Sequence, residues 1–392
     1  MLTPYLPYPL LTGGQTRSYN LIKRLSTLGH EITLFCLVKH NDERKYVSEL
    51  EKFCKEVRVF NRPEKPWTIV NIFKTGFSLY PFLVIRNWAK GEKEAIEQKI
   101  TKEDFDLIHA ETFYVMPHIP KTTIPILLVE QTIEYLVYKH YVDKYRIWLL
   151  KLLLYIDVFK LKYWELKYWQ EASRVVAMSG DDKEIMKKEV PSLKVDIVPN
   201  GVDSKWFGQK VTSKSQEPVI LYLGNFTWLQ NREAVSVLIK KIWPEILKAF
   251  PKANLWIIGK NAKNFFAELE QKNVRVDEVK DVREAYQKAT ILVAPIYSGG
   301  GTRLKNFETF ASGLPVVTTS IGIGGTEAED GKHVIIRDDP SDIAKAAIDL
   351  IQDKKLYETI SQNAKNLVER KYDWKPIASK LSGIYEELGR KT

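Results

Sequence analysis

Segments that read as strands and segments that read as helices alternate along the chain, pause, and then alternate again. A chain of this kind is constrained to parallel sheets covered by helices on both faces. In the first round, residues 17–28 have helical spacing and end at Gly29, a usual helix stop. A buried-type strand follows over 31–38, then a charged helix over 42–54, a strand over 57–60 and a helix over 91–100. Strands at 106–109, 126–130, 174–178 and 195–198 continue the pattern, with a long helical stretch over 132–170 and a helix from Asp181. The polar segment 213–218, closed by Pro218, reads as a linker. The second round places strands at 219–224, 254–258, 274–276, 291–295 and 315–319, with helices at 232–250, 263–271, 282–288 and 304–312.

Composition narrows the class. The 392 residues are two to three times a typical ~100–200-residue domain, and 44% hydrophobic content supplies two cores. Only Cys36 and Cys54 occur, so neither a disulfide framework nor a cysteine metal cluster is implied, and a reducing, cytosolic setting fits. No run approaches the ~18 apolar residues of a membrane span. The N-terminal segment, broken by three prolines, does not read as a signal peptide. There are 59 Lys and Arg against 49 Asp and Glu, a formal charge of +10, which suits nucleic acid, an anionic membrane or an anionic substrate.

The most informative segment is SGGGTRLKNFE, residues 298–308. It follows a predicted strand and opens a predicted helix, the crevice position at which doubly wound sheets bind ligands. Gly299, Gly300 and Gly301 let backbone N–H groups approach an anion, and the helix N-terminus adds partial positive charge. Thr302 brings a hydroxyl, and Arg303 and Lys305 bring full charges that suit a departing diphosphate. The segment is neither a Walker A loop nor a dinucleotide fingerprint. The plainer alternative is a flexible loop with a solvated Lys305–Glu308 pair.

The run GGTRLKNFETFASGLPVVTTS, residues 300–320, resembles the donor-site signature of group 1 (family 4) glycosyltransferases. Further matches fall in register: Gly13 and Gly14, LGHEIT at 28–33, DLIH at 106–109, VPNGVD at 198–203, Gly224 with Trp228 and Asn231, DGKH at 330–333 and YDW at 372–374. The resemblance implies an α/β chain of the GT-B fold, two Rossmann-like doubly wound domains facing a central cleft. The expected domains are an N-terminal acceptor-side domain over 1–207, a C-terminal nucleotide-sugar domain over 208–372, and a C-terminal helix over 373–392, for which a return to the N-terminal domain is one destination. In the family a strand normally precedes the segment matching Thr3-Pro4-Tyr5. Here only Met1 and Leu2 precede it, so a start upstream is expected.

The resemblance also carries roles. Glu308 matches the glutamate that binds the donor ribose, and a carboxylate suits two vicinal hydroxyls. Gly300 stands where the family usually has a second glutamate, leaving sugar contacts to backbone N–H groups of Gly299 to Thr302. Asn225 and Asn231 stand near the places of an Arg and a Lys on the diphosphate, with Arg232 beside them, and Arg303 and Lys305 replace the missing charge. Gly13 and Gly14 resemble the loop that approaches the donor phosphate. Glu111 occupies the place of a frequent catalytic histidine and is expected to orient or deprotonate the acceptor, with His109 as a second catalytic candidate or a packed strand-end residue. Glu130 and Glu134 flank another strand end, and Glu134 resembles a recurring cleft carboxylate.

The implied activity is a retaining, metal-independent transfer from a nucleoside-diphosphate sugar to a hydroxyl of a saccharide or lipid-linked acceptor, in surface polysaccharide or glycolipid synthesis. No resident cofactor is expected. The alternatives are another GT-B nucleotide-sugar enzyme such as an epimerase, or a non-catalytic binding protein. Segment 132–170 interleaves basic and aromatic residues and suits an anionic membrane surface, the alternative being amphipathic helices packed on the first domain. The expected location is cytoplasmic, peripheral on the inner face of the membrane. No nucleic-acid module is recognised.

Overall fold

The computed structural model describes residues 1–65, 67–145, 147–209, 217–279, 281–298 and 304–389. Most of the expected linker, 213–216, lies outside them, as do Gly299, Gly300, Gly301, Thr302 and Arg303. The chain divides into two compact units, one of Met1–Pro199 with Ile377–Thr392 and one of Asn200–Pro376, so the division falls after 199 and 376 instead of at 207 and 372.

Unit 1 holds seven parallel strands: β1 (Leu2–Thr3), β2 (Thr33–Val38), β3 (Glu56–Asn61), β4 (Ile108–Glu111), β5 (Ile126–Val129), β6 (Arg174–Ala177) and β7 (Val195–Ile197), in the order β3-β2-β1-β4-β5-β6-β7. β2 is buried along its whole length because helices cover both sheet faces, which accounts for its unbroken apolar run. The first helix spans Gly13–Thr27, beginning four residues before its apolar spacing shows. Thr12 caps it through Gln15 N–H, and Gly14 is required there: a Cβ would lie 2.6 Å from Tyr5 Oη and 2.9 Å from Gln131 Oε1.

The stretch expected as one helical region over 132–170 is two helices, Glu134–Asp143 and Trp148–Glu171. A helix at Ile69–Phe77 was not legible in the sequence pattern. From Ile377 onward the closing helix Trp374–Gly389 belongs to unit 1. There Ser382 bonds His30 at 2.7 Å, Glu387 pairs with Arg174 at 3.0 Å, and Tyr385 bonds His109.

Unit 2 holds six parallel strands: β8 (Val219–Leu223), β9 (Asn254–Ile258), β10 (Val274–Asp277), β11 (Ile291–Ala294), β12 (Val316–Thr318) and β13 (Ile335–Ile336), in the order β10-β9-β8-β11-β12-β13. β9 ends at Gly259 with φ +134°, where a Cβ would lie 1.9 Å from the Gly224 carbonyl oxygen. Only glycine lets these two strand ends approach so closely. Each unit has its own core, centred on Trp169, Phe113 and Val175 in unit 1 and on Phe307, Phe310 and Tyr222 in unit 2.

Candidate functional site

In unit 2 the strand order reverses between β8 and β11, and that reversal opens the crevice in which doubly wound sheets hold ligands. Helix Leu304–Ala311 follows β11 and lines it. Phe307, Phe310 and Ala311 anchor the helix in the core, with Phe307 stacked on Tyr372 at 4.1 Å. Asn306 is also buried, and its amide donates to the Gly322 carbonyl at 2.9 Å.

The opposite face of this helix carries Lys305 and Glu308, about one turn apart. Lys305 Nζ donates to the Leu223 carbonyl at 3.0 Å, at the carboxyl end of β8, and lies 5.2 Å from the Tyr222 ring centroid. Glu308 Oε2 accepts from Tyr286 Oη at 2.9 Å, its one hydrogen-bond partner among the described residues. Burial raises the Glu308 pKa, while the Tyr286 hydrogen bond and the Lys305 charge pull it back. This is a cation and a carboxylate held on a rigid element beside a strand end.

Asn231 and Asn225 serve the same strand end from within. Asn231 is buried, accepts from Tyr222 Oη at 3.0 Å and donates to the Asn225 carbonyl at 2.9 Å. Asn225 Oδ1 accepts from Thr227 N–H at 3.1 Å. Arg232 stacks its guanidinium 4.7 Å from the Phe265 centroid.

In unit 1 the corresponding reversal lies between β1 and β4, and a hydrogen-bonded network fills it. His109 Nε2 bonds Glu111 Oε1 at 3.1 Å, Gln131 donates to Glu111 Oε2 at 2.7 Å and to Tyr5 Oη at 2.8 Å, and Arg17 lies 3.9 Å from Glu111. Arg17 also donates to the Pro199 carbonyl at 2.7 Å. Glu111 and Arg17 are completely buried and His109 nearly so. Burial acts to raise the Glu111 pKa, but the His109 hydrogen bond and the charges of His109 and Arg17 outweigh it, and the net shift is downward. Burial lowers the His109 pKa.

Thr112 follows with φ +75°, a conformation costly for a β-branched residue, and its N–H donates to the Val129 carbonyl at 2.7 Å. Gly13 and Gly14 open the helix beside this network, through Tyr5.

Glu130 and Glu165 are structural neighbours of these groups. Glu130 accepts from Trp169 Nε1 at 3.0 Å, and Glu165 accepts from the N–H groups of Glu134 and Tyr135 at 2.8 and 2.9 Å, capping helix Glu134–Asp143. Glu134 is half-buried, its pKa pushed up to about 7 by burial against the pull of Arg86. Sequence reasoning missed Arg17, Gln131 and Tyr286, since nothing in local spacing marks a helix-borne polar residue as facing inward. No group of three His, Cys, Asp or Glu side chains is arranged to hold a metal ion among the described residues.

The raised Glu308 pKa gives a signed expectation. Between its ordinary value near ~4.3 and its raised native value the folded state holds a proton that the unfolded state has released, so this residue lowers stability as pH rises through that window. Glu308→Gln should reduce the decline in urea-unfolding free energy across this range, relative to wild type. Parallel pH profiles for the two proteins would contradict it.

A family model described as glycosyl transferases group 1 matches residues 217–353, and one described as glycosyltransferase family 4 matches residues 11–206. An uncharacterized 44.6 kDa protein in the cps region of Klebsiella pneumoniae is 24% identical over 97% of each chain. Alpha-monoglucosyldiacylglycerol synthase of Acholeplasma laidlawii is 22% identical over 97% of this chain and 94% of its own. Anabaena HepE, crystallised in complex with UDP-glucose, superposes with a TM-score of 0.63 at 13% identity over 98% of both chains. That likeness shows the GT-B fold. With each unit matched in turn by models of one enzyme group, the chain belongs to glycosyltransferase family 4.

Proposed function

We propose that the chain moves a sugar from a nucleoside-diphosphate donor to a hydroxyl of a saccharide or lipid-linked acceptor, with retention and without a metal ion, in surface polysaccharide or glycolipid synthesis. The observation that carries this reading is the pair Lys305 and Glu308 on helix Leu304–Ala311, at the strand reversal of unit 2. A glutamate with one phenolic partner has acceptor capacity for two ribose hydroxyls. Lys305 supplies positive charge where a diphosphate leaving group becomes more negative, electrostatic help of the kind that acts on the transition state, and Arg303, outside the described residues, is the second cation of the proposal. The departing diphosphate then takes the acceptor proton on the same face as the new bond forms. UDP-glucose on HepE and the glycolipid product named for the Acholeplasma relative support the donor and acceptor classes. Glu111 and His109, locked in their network, act as positioning residues for the acceptor side. A panel of nucleoside-diphosphate sugars should contain one that raises the Tm of the full chain, and Glu308→Ala and Arg303→Ala should each lose that shift or turnover. A panel without any stabilising donor would contradict the reading.

A membrane-surface role on the cytoplasmic side is favoured by a separate observation in unit 1. Among the described residues no helix is long and apolar enough to cross a membrane. Yet helix Trp148–Glu171 is apolar on its outer face as well as its inner one: Trp148, Leu149, Leu152, Leu153, Ile156 and Phe159 are exposed while Val158, Leu161 and Trp169 are buried. Helix Ile69–Phe77 adds Ile69, Phe73 and Phe77, the last 89% exposed. Lys160 ties the two helices by donating to the Thr75 and Ser78 carbonyls, each at 2.7 Å, and Trp164 donates to the Leu79 carbonyl at 2.9 Å. The cations contribute less than their number implies, because Lys162 pairs with Glu189 and Lys167 with Glu171. An exposed apolar surface of this extent marks an interaction site. Vesicles containing anionic lipid should co-sediment the chain at low salt, less so at high salt, and Phe73→Ser with Leu153→Ser should abolish most of it. No sedimentation at low salt would contradict the role.

A further inference from the structure

Three cations that the sequence reading left aside converge at the carboxyl edge of the unit 1 sheet. Lys39 follows β2 and Arg62 follows β3, and the Arg62 N–H donates to the Val38 carbonyl at 3.0 Å, so the two stand side by side. Arg86 ends the short helix Phe82–Ile85. The next residue, Asn87, is buried, donates to the Leu83 carbonyl at 2.8 Å and accepts from the Arg62 guanidinium. The buried Asn87 amide holds the Arg62 guanidinium, and the pairing of the strand ends sets Lys39 beside it.

The cluster is short of negative charge. Glu43 faces Lys39 and Arg62, but its Oε1 already accepts the backbone N–H groups of Lys39 and His40 at 2.9 and 2.8 Å. Glu134 faces Arg86, and burial holds its pKa near 7. Tyr138 lies near Arg86, and Tyr114 near Arg62. Arg62 Nε is buried and has no hydrogen-bond partner among the described residues. Burial and the neighbouring cations lower the pKa values of both Lys39 and Arg62. A folded chain holds like charges this way at a cost in stability, and such costs concentrate at ligand sites.

We propose that Lys39, Arg62 and Arg86 bind a phosphate group carried by the acceptor. The two guanidinium forks suit tetrahedral phosphate oxygens and the ammonium adds a point charge. The three cations belong to unit 1, whereas Lys305 and Glu308 belong to unit 2. The word acceptor rests on the transferase reading; the anion site rests on the cluster alone.

The test uses the full chain, with thermal unfolding followed in rising inorganic phosphate at fixed ionic strength. Lys39→Gln should raise the Tm without phosphate, by relieving repulsion, and Lys39→Gln and Arg62→Gln should each weaken apparent phosphate affinity by roughly tenfold at this site. Lys354→Gln, an exposed lysine of unit 2, should leave the phosphate response intact. A merely structural role predicts a lower Tm in Lys39→Gln with the phosphate response of both variants unchanged, and that result would overturn the proposal. Two further ligands identify the source of the phosphate. Displacement of inorganic phosphate by phosphatidic-acid vesicles, lost in Arg62→Gln, assigns a lipid headgroup; displacement by glucose 1-phosphate assigns a soluble sugar phosphate. A chain that answers to no nucleotide sugar but loses the phosphate response in these variants contradicts the transferase reading and leaves the anion site standing.

Discussion

The parallel pairing of β8 with β11 is the constraint on which the rest of unit 2 depends. Its register sets Ile220 beside Ile291 and Leu221 beside Leu292, so the two carboxyl ends emerge together while their following segments leave for opposite sides of the sheet. Helix Leu304–Ala311 follows β11, with Phe307 and Phe310 in the core and Lys305 and Glu308 on its other face. Lys305 closes the arrangement by bonding the last carbonyl of β8, which ties helix position to strand position. Unit 1 repeats the same reversal between β1 and β4.

The two reversals hold ionisable groups in different states of completion. Around Glu111 both carboxylate oxygens are engaged, and His109, Gln131, Tyr5 and Arg17 each have further partners. These bonds to both of its oxygens hold the Glu111 carboxylate in one geometry. Glu308 is nearly buried with Tyr286 its one hydrogen-bond partner among the described residues, and burial outweighs that bond and the Lys305 charge. The Lys39, Arg62 and Arg86 cluster lies furthest from balance.

Much of the fold was legible because parallel strands buried on both faces read as unbroken apolar runs, as TLFCLV in β2 does. The motif around Glu308 was legible because its parts are neighbours in sequence. What escaped the sequence has physical reasons. The first helix starts at Gly13 because close approach to Tyr5 demands glycine at position 14, and glycines mask a helix start. Helix Ile69–Phe77 escaped because its apolar side chains face outward, against the rule by which helices are recognised. The single stretch over 132–170 breaks after Asp143, where no proline or glycine marks it. Lys39, Arg62 and Arg86 sit after three different elements, and only the sheet brings them together. Asn231, expected on the diphosphate, braces Tyr222 and the Asn225 backbone, contacts that local sequence does not show.

The chain belongs to glycosyltransferase family 4, and the proposed transfer with retention is open to direct measurement. The most direct measurement is a time-resolved proton NMR experiment on the full chain, supplied with a stabilising nucleoside-diphosphate sugar and a hydroxyl acceptor. The first turnovers should form a glycosidic bond with the anomeric configuration of the donor, and nucleoside diphosphate should appear in step with it. An inverted linkage, or free sugar as the main product, would contradict the account.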